Sequence, residues 1–145
     1  MLNVDEFFYK VLSSNTELME LVHSNIFSSA RDKVSEENDT IPYIIVVYEE
    51  GKSGTGDKDD RMSPLEGATI TIICCTENRE QLCDLTYKVW NTLRDAINHF
   101  GDWYDPNWHF VINRCQCEPD EVMHDCYKPC YAQQLRFYCD TQERK

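Results

Sequence analysis

The stretch GATITIICCTENREQLCDLTYKVWNTLRDAINH, residues 67–99, changes its hydrophobic period once, and that change decides the fold class. From Gly67 to Thr76 the side chains alternate, with Ile70, Ile72 and Cys74 on one face and Thr69, Thr71, Ile73 and Cys75 on the other, which is the period of a β-strand. After Thr76 and Asn78, both able to cap a helix, Leu82, Leu85, Val89, Leu93, Ala96 and Phe100 recur at steps of three or four. That is the stripe of an amphipathic helix running to about His99, with Gly101 as the expected C-cap. A strand feeding directly into a long helix makes this a mixed α and β chain.

Toward the N-terminus, Ile41 to Glu49 is rich in branched and aromatic residues, and Pro42 restricts it to a strand that begins nearby. Ile44, Val46 and Tyr48 share one face, Ile45 and Val47 the other, so both faces of this strand need a neighbour. Further back, Asn3 and Glu6 precede Val4, Phe7, Phe8, Val11 and Leu12 at helical spacing, predicting a helix over 4–13. Ser14 and Glu17 repeat the capping-box pattern ahead of Leu18, Met19, Leu21 and Val22, predicting a second short helix; residues 28–40 read as a polar connection. Toward the C-terminus, Asp102 to Trp108 is an aromatic-rich turn. Two last strands follow, about 109–117 and 131–140, joined by an acidic loop with Pro119 and Pro129. The expectation is an α+β fold: a mostly antiparallel sheet of about four strands, with the long helix and the N-terminal helices on one face.

The chain has 145 residues, the size of one domain, expected over 1–145, with a radius of gyration of about 15 Å. Between the two central strands lies the long irregular insert of about residues 50–66, with three glycines and no periodicity, of a length that is usually functional or mobile and here expected as a mobile loop. Twenty-six acidic residues against 14 basic ones give a net charge of −12. That balance disfavours nucleic-acid binding, which draws on clustered Lys and Arg. No apolar stretch approaches the roughly 20 residues that span a bilayer, so no membrane partner is expected. Acids at Asp5 and Glu6 leave no secretion signal visible, so maturation in a reducing cytosol is expected.

Gly51-Lys52-Ser53 lacks the earlier glycine and following helix of a phosphate-binding loop, since Val46 stands where that glycine would be. The four histidines form no zinc-protease motif and adjoin no nucleophile motif, so no catalytic residue is assigned. Cys115, Cys117, Cys126 and Cys130, with His124 nearby, could converge across a hairpin as a four-thiolate zinc set, although Cys-x-Cys with Cys-x-x-x-Cys departs from the usual Cys-x-x-Cys knuckle. The alternative is that these and the other four cysteines pack as small hydrophobes. Trp103, Tyr104, Trp108 and Phe110, interleaved with Asp102 and Asp105, read as a core plug or a subunit contact rather than a base-stacking platform. The acidic runs at 36–37 and 57–60 read as solvated surface; lining a passage for DNA is their functional variant.

The layout resembles the tail-completion, or tail-terminator, proteins of long-tailed bacteriophages and prophages. The resemblance rests on Asn15 to Val22 as the helix and leucine-valine segment, on Ile41-Pro42-Tyr43-Ile44-Ile45-Val46 as a Pro-Tyr-hydrophobic first strand, and on Ala68 to Thr76 with the helix through Leu93. Asn25 replaces the usual basic residue in Ser24-Asn25-Ile26-Phe27, and the cysteine-rich hairpin departs from the family pattern. The resemblance implies a non-enzymatic component of the virion tail, assembled in the host cytoplasm. It further implies a closed ring, typically a hexamer, that stops growth of the tail tube and offers a joining surface to the head-tail connector proteins. A ring of head-to-tail contacts closes only when the rotation closes. Tyr43, Tyr48, Trp103 and Trp108, with Asp57, Asp59 and Asp60 in the insert, are the expected interface residues.

Other readings remain open at this stage. A neck or head-completion protein of the same particles is the near alternative. A cytosolic zinc-binding interaction module on the four cysteines, and a divalent-ion hydrolase using Asp57, Asp59 and Asp60, are the alternatives of other classes.

Overall fold

A computed structural model describes residues 4–28, 41–49, 65–108, 110–125 and 130–143. In chain order these form α1 (Val4–Ser13), α2 (Thr16–Leu21), β1 (Ile26–Ser28), β2 (Tyr43–Glu49), β3 (Leu65–Thr76), α3 (Arg79–Asn98), α4 (Phe100–Trp103), β4 (Phe110–Pro119), β5 (Met123–Asp125) and β6 (Cys130–Glu143). The architecture is α+β, with helices against one face of a mostly antiparallel sheet, as the periodicities imply. Among the described residues the sheet has six strands rather than about four, in the order β1-β2-β3-β6-β4, with β5 pairing β6. The two additional strands, β1 and β5, are three residues each, too short to carry a period.

Register explains the packing. Ile44 faces Cys74, Val46 faces Ile72 and Tyr48 faces Ile70 across β2 and β3. Ile70 and Ile72 then face Phe137 and Leu135 on β6. This row is the floor of the core, and Ile44, Val46, Ile70 and Ile72 are fully buried. Helix α1 supplies the cover through Val4, Phe7, Phe8, Val11 and Leu12, all at most 1% exposed; each such side chain contributes about 1.5–3 kcal/mol of burial. Phe8 meets Phe137 at a ring separation of 5.4 Å, joining helix to sheet. Leu82, Leu85, Val89, Leu93 and Ala96, the stripe read from the sequence, form the buried face of α3.

The helix ends differ from expectation in two places, at the start of α2 and after α3, while the start of α3 falls on one of the two caps the sequence offered. Asn15, not Ser14, caps α2, its side chain accepting from the Leu18 amide at 3.2 Å. Ser14 instead donates its backbone amide to Lys10, closing the end of α1. Asn78 caps α3, accepting from the Gln81 amide at 2.8 Å, while the Thr76 hydroxyl donates to the Asn78 carbonyl at 2.6 Å. α3 stops at Asn98, with His99 as C-cap, and Gly101 lies inside the one-turn α4 rather than ending α3. The stripe carries on to Phe100 because α4 turns that ring into the core, 5.1 Å from Phe7. No helix among the described residues is long and apolar enough to cross a membrane.

Candidate interaction surfaces

The sheet's second face, turned away from the helices, combines two kinds of surface. Tyr43, Ile45, Val47, Ile73 and Cys75 share it by register on β2 and β3, with Phe27 beside Ile45 and Ala132 beside Cys75. Ile45, Val47 and Ile73 are only half-buried, whereas Ile44 and Val46 on the core face are fully buried. This apolar strip runs into a polar field. Arg136 forms an ion pair with Asp120 at 3.2 Å, and Glu49 accepts from the Thr71 hydroxyl at 3.4 Å. A hydrogen bond with Tyr138 and the carboxylate of Asp120 raise the Arg136 pKa, so its charge is permanent. Exposed Tyr138 and Met123 add apolar surface to the same side of the sheet.

Among the described residues the two outer strands of the sheet carry features that discourage strand addition. β1 is only three residues long, and β4 carries an irregularity at Asn113 followed by exposed Arg114, Gln116 and Glu118. Bulges, charges and short edge strands discourage uncontrolled strand pairing. Beside β4 a cleft of about 620 Å³ opens between the end of α3 and the strand, lined by residues such as Ile97, Tyr104, Ile112 and Cys115. A smaller one of about 220 Å³ adjoins it at Trp90, Cys117 and Phe137, where Arg94 lies 4.4 Å over the Trp90 ring.

The structure separates the residues expected to act together. Tyr43 is half-buried on the second face, while Tyr48 lies on the core face and packs against the core. Trp103 is half-buried against the core, and Trp108 is inside it at 5% exposure. Trp108 stacks on Phe110 at 5.6 Å and meets Phe7 edge-on at 5.9 Å. Its indole N–H donates to Glu6 Oε2 at 3.2 Å, and Lys10 Nζ lies 5.1 Å from the ring centre. Asp57, Asp59 and Asp60 lie outside the described residues, as does Cys126.

The cysteines divide between the two faces of the sheet. Cys115 and Cys117 lie opposite Cys139 and Phe137, on the core side. Cys130 lies on the other side, its sulfur 3.3 Å from that of Cys75. The sheet itself therefore stands between Cys130 and the Cys115–Cys117 pair. His124 is engaged with the Tyr131 ring, 4.5 Å between centres. Among the described residues, no three His, Cys, Asp or Glu side chains converge as a metal site would require. Burial, and secondarily the neighbouring Cys115, pushes the Cys117 thiol up to about 11. Burial raises Cys74 still further, as the core of a sheet must for an uncharged thiol.

Sequence reading missed two things here. The half-buried strip on the second face was legible as alternation, but its extension onto β3 depends on strand register. The meeting of Cys115 with Cys139 also follows only from register, because the two are far apart in sequence.

No protein-family model matches the chain, and no curated protein sequence matches it. Among solved structures, the chain is similar to one in the "Virion of native gene transfer agent (GTA) particle". The two share 13% sequence identity over 96% of this chain and 94% of that one, with a TM-score of 0.53. At that identity the likeness is one of fold, extending over nearly the whole of both chains.

Proposed function

We propose that this chain is a structural protein of a phage-like virion, acting by assembly rather than catalysis. The observation that carries this reading is the end-to-end fold likeness to a chain of a gene transfer agent particle. Within that class the role proposed is tail termination: copies of the chain form a closed ring, six in the tail-terminator pattern, on the head-proximal end of the tail tube. The ring stops tube growth and presents a surface to the head-tail connector proteins. Assembly takes place in the host cytoplasm and the product resides in the virion tail.

Two features of the surface support an assembly role. The half-buried strip of Tyr43, Ile45, Val47 and Ile73 is bordered by charged and hydroxyl side chains, the arrangement of an apolar interface centre with a polar rim. The edges of the sheet are short, kinked or charged, so association is directed to faces rather than to open-ended strand addition. Trp108 serves this role from within, holding α1 against β4, while half-buried Tyr43 lies with Phe27 and exposed Tyr138 on the face proposed to meet a partner.

The test is co-expression of the chain with the tail tube protein of the same particle, with tube length measured by electron microscopy and the stoichiometry of the free chain by native mass spectrometry. A closed oligomer that caps tubes at uniform length is the expected result. Tubes that grow unchecked, with the chain bound to head connectors alone, would place it at the neck instead. A monomer that binds neither component would sink the assembly reading.

A further inference from the structure

Within the sheet lies a thiol pair for which an assembly role has no use. Cys115 on β4 stands directly opposite Cys139 on β6, and their sulfurs are 3.0 Å apart. Directly opposed residues of antiparallel strands have Cα atoms about 4.5–5.5 Å apart, inside the range a disulfide requires. Cys139 is only 2% exposed, whereas Cys115 is partly exposed and lines the cleft between α3 and β4. A small reagent therefore reaches the pair through Cys115. The other close sulfurs, Cys75 and Cys130, differ in register: Cys75 faces Ala132, so Cys130 is its diagonal neighbour. Diagonal positions are about 7–8 Å apart, at or past the limit for bridging without backbone movement. That second contact is an internal control.

We propose that Cys115 and Cys139 are an oxidative modification site, at which a small-molecule disulfide of the oxidised-glutathione type converts the two thiols into one intramolecular bridge that clamps edge strand β4 to β6. The Cys115 thiol gives its proton to water, and the thiolate attacks one sulfur of the reagent, forming a mixed disulfide and releasing one glutathione thiolate. Cys139 then loses its proton and attacks the Cys115 sulfur, expelling the second glutathione. The two protein thiols lose two electrons and two protons in total, and the reagent is reduced to two thiols. In the reduced pair the hydrogen bond to Cys115, followed by burial, holds Cys139 in its protonated form; once Cys115 carries glutathione the burial of Cys139 remains, so the second step is the slower one and accelerates as pH rises. In a reducing compartment the pair stays open; transfer to an oxidising one closes it. The inference stands on strand register and holds whether or not the chain belongs to a virion.

The full-length protein, reduced and freed of reductant, is incubated with oxidised glutathione at mildly alkaline pH, then analysed by intact mass and peptide mapping after thiol alkylation. The expected product is two hydrogens lighter than the reduced chain, with the bridge mapped to Cys115 and Cys139. It forms in Cys130→Ser and fails to form in Cys115→Ser and Cys139→Ser. Its thermal midpoint rises by several degrees, and returns on reduction, because the bridge restricts the unfolded chain. Retention of both thiols, a glutathione adduct on Cys115 that never resolves, or a bridge elsewhere in place of this one would overturn the proposal. Should Cys139→Ser not fold, Cys115→Ser, at the partly exposed position, decides the question alone.

Discussion

Trp108 shows how one side chain joins distant parts of this chain. Its ring fills the space between α1 and β4, and its N–H satisfies Glu6 on the exposed rim of the same helix. Trp108→Ala removes the stacking on Phe110 and leaves a cavity that the flanking Phe7 and Phe100 fill only partly. The expected loss is about 3–5 kcal/mol in urea unfolding, whereas Trp108→Phe keeps most of the contact and costs less. A loss below about 1 kcal/mol for the alanine variant would mean that the ring is not the plug its burial indicates. The thiols make a second prediction at this scale. Cys117 has an ordinary value of 9.0 and is raised to about 11 in the folded chain. Below pH 9 the group is protonated in both states and its contribution is intact. Between 9 and 11 the unfolded thiol ionises while the folded one does not, which favours unfolding, so stability falls as pH rises through that window. Cys74 and Cys139, displaced further in the same direction, add to the slope. Urea midpoints under reducing conditions are expected to drop between about pH 8 and about pH 10.5, and to drop less in Cys117→Ala.

At the level of elements, what the sequence reveals depends on how local the cause is. α3 was legible almost to the residue because five buried positions repeat at helical spacing and Asn78 supplies a cap. The cap makes a prediction of its own: Asn78→Ala leaves the Gln81 amide without its acceptor and costs about 1 kcal/mol, while Asn78→Asp keeps most of the stability. An alanine variant with an unchanged urea midpoint would show that Thr76, which already bonds to the Asn78 carbonyl, is sufficient to hold the turn. β2 was legible from its branched residues, but its neighbours were not. β6 enters between β3 and β4, and its pairing with β3 joins residues from 55 (Thr76 with Tyr131) to 77 (Leu65 with Gln142) positions apart, which leaves no mark in either strand's own pattern. β1 is set by three backbone partners on β2 and by the αL conformations of His23 and Ser24, which turn the chain after α2. The proposed cysteine site fails to show in the sequence for the same reason: Cys115 and Cys117 announce a strand face, and only pairing reveals that Cys139 is opposite and Cys130 is on the other side of the sheet. The alternative zinc quartet was built from proximity in sequence, and alternation across the sheet puts Cys130 on the opposite face from Cys115 and Cys117.

For the whole molecule the question is how a strongly acidic chain would associate with copies of itself, as the proposed ring requires. Each copy carries a net charge of −12, so bringing several together sets like charges against one another, at a cost that salt reduces. The apolar strip on the second sheet face supplies the opposing term, because half-buried Ile45, Val47 and Ile73 have surface left to remove from water. If that strip is the contact, self-association strengthens as ionic strength rises from about 0.01 M to about 0.15 M, over which the screening length shortens from about 30 Å to about 8 Å. An interface made of ion pairs would weaken over the same range. Ile45→Lys separates fold from assembly. Its long stem covers the strand while the ammonium reaches water, so the helical circular dichroism and the thermal midpoint stay close to those of the parent. The same ammonium cannot be desolvated against an apolar partner without a large penalty, so the closed oligomer is lost from native mass spectra. A variant that folds and still closes into the parental oligomer would move the contact to another face, and the cleft beside β4 would be the next surface to substitute.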